Sequence, residues 1–382
     1  MLYREIGKTG MKASIIGMGV EGLIGKSAEE VKAFFDLMEE RGINMLDIYS
    51  SNPEVRTNIG LAIKGRREKF ILQAHLCSIW QNGQYKRTRN ISEVKAGAEE
   101  LFARLGTDYI DIGMIHYVDA VSDWENIAGG EVLAYAEELK RAGRIKTIGL
   151  SSHNPEAAIR AVKSGKIDVL MFSVNPCYDL QPGDEDVEEL WNKEKYKDKL
   201  VNMDEKRAEL YELCAKTGVA ITVMKAFGGG DLLNAKLSLA KVALTPYQCI
   251  RYALERPGVV SIMCGARSVA ELAESADYVN ARPEETDYAE VFMRMPKISW
   301  EGHCMYCGHC APCPVGINVA EVTKFLNLAA IHEEIPETVR EHYKVLEHHA
   351  SECISCGGCE SRCPFKVGAM ENMKKAAALF GY

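Results

Sequence analysis

Eight times before residue 285 a short apolar run is followed by an amphipathic stretch, and this alternation constrains the fold more than any other feature. The runs are ASIIG, NMLD, FILQA, IDIGMI, TIGL, VLMFSV, AITVM and VVSIMCG; the stretches that follow cover 28–41, 54–64, 91–105, 126–142, 155–164, 203–217, 246–255 and 269–280. Continuous apolar runs suit parallel strands buried on both faces, and the intervening stretches suit the helices that cross between them. Eight such units predict an α/β chain folded as a (β/α)8 TIM barrel, with an open doubly wound sheet as the alternative. The opening LYREIGKTGMKAS, polar at its centre, reads as a hairpin closing the bottom of the barrel. The charged stretch 178–202 is long for a strand-to-helix loop, and on a barrel it would lie over the active face or form a solvated insertion.

From residue 286 the pattern changes. RPEETDYAEVF is linker-like, two dense cysteine groups appear, and helical patterns at 319–333 and 336–350 lie between them. The expected division is a barrel over 1–285 and a helical ferredoxin-like domain over 286–382. A net charge of −8 leaves no basic stripe for a nucleic acid. There is no 18-residue apolar run for a membrane and no signal-peptide pattern, so the expected location is the cytoplasm.

In a reducing compartment, thirteen cysteines point to metal or redox chemistry before disulfides. Cys77, Cys177, Cys214, Cys249 and Cys264 are scattered through apolar stretches and read as core packing. The other eight are grouped. CISCGGCESRCP is C-x2-C-x2-C-x3-C-P, the run that binds [4Fe-4S] in bacterial ferredoxins, where three thiolates of one loop grip one cubane and the fourth, set before proline, serves the other. CMYCGHCAPCP differs only in having x2 before its last cysteine. The expected ligands are therefore Cys304, Cys307, Cys310 and Cys363 on one cluster, and Cys353, Cys356, Cys359 and Cys313 on the other. Two zinc sites are the alternative, though zinc usually takes its thiolates as two pairs. His303 and His309 read as surroundings of the clusters.

The segments YREIGKTGMKASIIGMG, RGINMLD, LGTDYIDIGMIH, ELKRAGRIKTIGLSSHN and CGARSVAELAES, in that order, resemble the aldo/keto reductase family, specifically its branch with a C-terminal iron–sulfur domain. The resemblance implies a nicotinamide-dependent carbonyl reductase whose tetrad is Asp, Tyr, Lys and His. Asp47 matches the Asp and His116 the His, but Asn52 stands at the Tyr and His75 at the Lys, so both parts of the usual acid machinery are replaced. Asp47, His75 and His116 each end a predicted neighbouring strand and would converge at the mouth, with either histidine as general acid. Tyr49 and Tyr117 are alternative donors, and two histidines with a carboxylate also suit a metal.

By the same resemblance, Ser151, Ser152, Asn175, Lys225, Gly228, Gly229, Gly230, Gly265, Arg267 and Ser268 match nucleotide-contacting positions, consistent with phosphate binding after the last two barrel strands. The family's strand-six glutamine is Met171, and its final Glu-Asn is Glu274-Ser275. The expected protein is an oxidoreductase that couples two [4Fe-4S] clusters, and in one form NAD(P)H, to redox chemistry on a small molecule, with ferredoxin or a similar protein as redox partner. The alternative is an electron-transfer or scaffold subunit with a vestigial barrel.

Overall fold

The computed structural model describes residues 1–179, 203–238, 242–289, 302, 304, 308, 310–330, 335, 337–363 and 366–382. Eight parallel strands close a barrel: β3 (Ile16–Gly19), β4 (Met45–Ile48), β5 (Ile71–His75), β8 (Ile110–Ile115), β9 (Ile145–Ser152), β10 (Val169–Ser173), β11 (Ala220–Met224) and β12 (Val259–Cys264). β12 pairs with β3 to complete the circle. Side-chain alternation sorts each strand into two environments. Met45, Ile112, Met114, Val169, Met171 and Met263 fill the lumen. Leu46, Ile48, Leu72, Ile115, Leu170 and Ile221 face the helices in a separate, larger core. This two-sided burial is why the strands read as unbroken apolar runs, each fully buried aliphatic side chain contributing about 1.5–3 kcal/mol.

The opening hairpin is β1 (Tyr3–Glu5) paired with β2 (Lys12–Ser14). Ile6 and Ala13 enter the lumen core, and Arg4 Nη1 donates to the carbonyls of Leu254 and Val259, so the hairpin closes the end at which strands begin. The helix expected over 126–142 is two helices, Val121–Ala128 and Glu131–Arg141, separated at Gly129 and Gly130. Of the charged stretch 178–202, Tyr178 and Asp179 end the short helix Pro176–Asp179 and the remainder lies outside the described residues.

A second hairpin lies outside the eight repeated units. After β5 the chain forms a hairpin of β6 (Ser78–Gln81) and β7 (Gln84–Arg87). Its two-residue turn is Asn82-Gly83, with φ of 54° and 75°. Two successive left-handed residues are what a type I′ turn requires, and Asn-Gly is its preferred pair.

In the C-terminal part, the helices Val319–Ala330 and Ala369–Phe380 pack on each other around Val322, Met373 and Ala376. Tyr343 stacks on Phe380 with ring centroids 4.0 Å apart. The C-terminal helix was not foreseen, and the helix expected over 336–350 is shorter, Glu337–Lys344. No helix among the described residues is long and apolar enough to cross a membrane.

Candidate active site at the barrel mouth

β4, β5 and β8 are adjacent in the barrel, and their register sets Asp47 beside Gln73 and His75 beside Met114. Residues two apart on one strand share a face, so Gln73 and His75 both point into the lumen with Asp47, and His116 follows at the end of β8. The three expected residues do meet. Asp47 Oδ1 accepts from Gln73 Nε2 at 2.7 Å and lies 3.0 Å from His75 Nε2. His75 Nδ1 lies 2.5 Å from His116 Nδ1, and His116 Nε2 is 2.7 Å from the Tyr85 hydroxyl. Below them Thr222 donates to Gln73 Oε1 at 3.0 Å, and Met171, standing at the family's glutamine position, meets Gln73 Nε2 at 3.4 Å.

The result is an unbroken chain of hydrogen bonds: Asp47, His75, His116, Tyr85. Burial, reinforced by His75, Arg89, Arg87 and His153, holds His116 well below the ordinary imidazole value. It is therefore a neutral ring near pH 7, suited to passing a proton on and unsuited to storing a charge. Burial pushes the Tyr85 phenol upward. Tyr85 sits on the β6–β7 hairpin and was missing from the expected site. The signal that would have found the hairpin is Asn-Gly between SIWQ and QYKR.

Asn52 has a local reason to stand where the family has tyrosine. Its Oδ1 accepts from the backbone N–H of Glu54 and Val55, capping the helix Pro53–Ile63. Among the alternative donors, Tyr49 is raised well above the ordinary phenol value by burial. Tyr117 lies under the Arg87 guanidinium at 4.3 Å and has a φ of 59°. No three His, Cys, Asp or Glu side chains among the described residues converge as a single metal ion would need. Asp47, His75 and His116 turn their polar atoms toward one another instead.

The expected nucleotide residues line the same end of the barrel, several already bonded within the protein. Ser151 Oγ accepts from the Tyr117 N–H, the single Ser152 O–H has Asp119 at 3.3 Å and the Asn154 carbonyl at 3.1 Å as acceptors, and Asn175 bridges the Lys225 carbonyl and the Tyr178 N–H. Ser268 caps the helix Val269–Asp277, and the Arg267 N–H donates to Glu271. Lys225 is left-handed at φ 59°, and Gly228, Gly229 and Gly230 follow at 60°, 76° and 101°. A Cβ on Gly230 or Gly265 would meet nothing within 4 Å.

The cysteine-bearing part rests on this end too. Cys304 and Cys363, with Val367 of the same part, pack against Tyr178 after β10 and Phe227 and Leu232 after β11. Lys324 reaches Glu21, in the loop after β3, at 2.9 Å. Burial alone would raise the Glu21 carboxyl, but Lys324, with Lys225 and Arg267, holds it below the ordinary value. Gln84 Nε2 at the hairpin donates to the Cys313 carbonyl at 3.4 Å. Cys313, Cys353, Cys356 and Cys359 line one cavity walled by Val315, Ile317, Val319, Ile354, Met370 and Met373. Arg362 binds the Cys310 and Pro312 carbonyls at 2.6 and 2.8 Å. Cys307, His303 and His309 lie outside the described residues. The five scattered cysteines are all buried.

The chain belongs to the aldo/keto reductase family, whose model matches residues 16–245. It is the branch that carries iron–sulfur ligands, since a 4Fe-4S dicluster domain matches residues 302–367. Oxidoreductase activity goes with that membership. The chain is 29% identical over 314 residues to the aldo-keto reductase YhdN of Bacillus subtilis (strain 168), covering 71% of this chain and 87% of that one. It is 27% identical over 144 residues to the NADH-specific methylglyoxal reductase of Escherichia coli (strain K12), covering 34% and 43%. The fold matches the aldo-keto reductase AKR11C1 from Bacillus halodurans (holo form) with a TM-score of 0.60 at 22% identity, over 79% of this chain and 99% of that one.

Proposed function

We propose that this protein reduces a small carbonyl compound at the barrel mouth, taking electrons from a ferredoxin-like redox partner through two [4Fe-4S] clusters. The observation that carries the proposal is the seating of the cysteine-bearing part, its loops on the loops after β5, β10 and β11 and its helix Val319–Ala330 on the loop after β3, at the end of the barrel that holds the Asp47, His75 and His116 chain. The domain boundary proposed is near residue 286.

The donor set fits two clusters. Four thiols of the crossed pairing, Cys313 with Cys353, Cys356 and Cys359, share one apolar cavity. Cys304 and Cys363, both assigned to the other cluster with Cys307 and Cys310, share one apolar seat. When bound, such clusters supply electrons one at a time. A carbonyl conjugated to a second carbonyl or a ring suits that supply, because an odd electron spreads over it. The E. coli relative is a reductase of a compound of this kind, methylglyoxal.

The rim for a nicotinamide nucleotide fits in part. Open backbone at Gly230 and Gly265 with Lys225 and Arg267 suits phosphate, while Ser152 and Asn175 are committed to internal hydrogen bonds and Phe227 and Leu232 support the cysteine loops. The chain's own residues hold and move a proton: Gln73 and His75 fix the Asp47 carboxylate, and His116 carries hydrogen-bond polarity from His75 to the mouth.

The test is reduction of methylglyoxal by the anaerobically prepared holoprotein, with reduced ferredoxin and with NADPH in separate assays. Turnover is expected with ferredoxin and should be poor with NADPH. His116→Ala should lower it by about 10²–10⁴-fold, the usual weight of a positioned acid, with the cluster absorbance intact. Efficient NADPH-driven reduction would refute the electron route. Absence of turnover with either reductant would leave an electron-transfer or scaffold subunit.

A further inference from the structure

The proton chain ends on a residue that belongs to no barrel strand. We infer that Tyr85 is the proton donor to the reacting carbonyl oxygen, and that Asp47, His75 and His116 reload it. The inference rests on the reductase function proposed above and adds the residue that the Asn52 replacement leaves wanting.

Two arrangements of protons satisfy every hydrogen bond in the chain. With Asp47 ionised and both rings neutral, His75 Nε2–H donates to Asp47, His116 Nδ1–H donates to His75 Nδ1, and the Tyr85 O–H donates to His116 Nε2. In this resting state the phenol proton points inward. One further proton, taken up from water and held on His75 beside the Asp47 carboxylate, reverses the rest of the chain. His75 Nδ1–H then donates to His116 Nδ1, His116 Nε2–H donates to the Tyr85 oxygen, and the phenol O–H is free to face the mouth.

Discharge returns the chain to rest. The Tyr85 O–H bond breaks as its proton joins the carbonyl oxygen; the His116 Nε2 proton passes to Tyr85 and the His75 Nδ1 proton passes to His116. His116 holds one proton before and after, which agrees with its buried neutral environment. Its titratable and charged surroundings include His75, Arg87, Arg89 with its partner Asp123, and His153 with its partner Asp119; Tyr117 and Cys77 are further ionisable neighbours of this part of the chain. The two electrons that convert the carbonyl to an alcohol come, one at a time, from the ferredoxin-like redox partner proposed above. The second proton, which ends on carbon, comes from water, so the relay accounts for the oxygen proton alone.

The hairpin also explains why this donor arises here. Its turn directs Gln84 to the Cys313 carbonyl and the next residue, Tyr85, to His116. One ten-residue excursion, 78–87, thus touches both the cysteine loop and the proton chain.

The experiment uses holoprotein with oxidised clusters, 15N-labelled at histidine and titrated through about pH 5–8. The expected result is a tautomer exchange: His116 protonated on Nδ1 at the alkaline end and on Nε2 at the acidic end. A His116 that keeps one tautomer throughout overturns the relay whether or not the protein turns over. In parallel, Tyr85→Phe keeps the ring and removes the hydroxyl. Methylglyoxal turnover with reduced ferredoxin should fall by at least about 10²-fold, with wild-type cluster absorbance. Undiminished turnover overturns Tyr85 as donor. A wild type without turnover counts against the proposed function, and the histidine titration then decides the relay by itself.

Discussion

Replacing Cys313 by alanine should remove one cluster and spare the other, and the cluster it removes should be the one whose remaining ligands lie forty residues further on. Cys313 shares its cavity with Cys353, Cys356 and Cys359, while Cys304 and Cys363 share a different seat against the barrel. Each cubane carries four irons, so the holoprotein should contain about eight iron and eight sulfide per chain, and Cys313→Ala about four of each. The cavity walls are nearly dry, with Ile317 at 2% and Met373 at 1% exposure, so loss of the group loosens that core without touching the barrel. The assay is iron and sulfide analysis combined with alkylation of native protein and peptide mapping. Cys353, Cys356 and Cys359 should become reactive in Cys313→Ala, with Cys304 and Cys310 still protected; Cys363→Ala should give the converse. Exposure of Cys304 and Cys310 in Cys313→Ala, with 353, 356 and 359 protected, would refute the crossed pairing.

Two further outcomes concern stability, read by native-state hydrogen exchange of barrel amides. Arg56 is fully buried and donates to the carbonyls of Ser50 at 3.0 Å and Ser78 at 3.3 Å, tying the loop after β4 to the start of the Tyr85 hairpin, and burial lowers its guanidinium to about 10. Arg56→Met leaves both carbonyls without that donor and should cost about 2–5 kcal/mol, with the fastest exchange at the hairpin; unchanged protection there would contradict the role. His116 has a folded pKa below its unfolded value of 6.5, so the unfolded chain binds the extra proton first. Stability from this group is then full above about pH 6.5 and falls by up to about 1.4 kcal/mol per unit below it. His116→Gln should flatten that part of the slope, and an identical slope in both proteins would count against a neutral buried ring.

The barrel was legible because its strands are buried twice over: a segment such as IDIGMI must be apolar on both faces, and eight of them leave few ways to close a sheet. The cysteine loops were legible because cubane ligation works through short fixed spacings. Asp47, His75 and His116 were reachable for the same reason as the strands, since each lies at or near a strand end and the barrel brings such ends together.

What the sequence left undetermined is what depends on contacts between distant segments. Whether Asn52 is a failed donor or a helix cap depends on which N–H groups its side chain meets. Tyr85 carries no local mark of function; it matters because a turn folds it back onto His116, thirty-one residues away. The seat of the cysteine loops joins residues such as Glu21 and Lys324, three hundred positions apart. Periodicity and spacing record a residue's relation to its chain neighbours, so they determined the barrel and marked the 4Fe-4S dicluster domain. Hydrogen-bond partners depend on where side chains meet in space, so only the tertiary structure decided that Asp47, His75, His116 and Tyr85 form one chain.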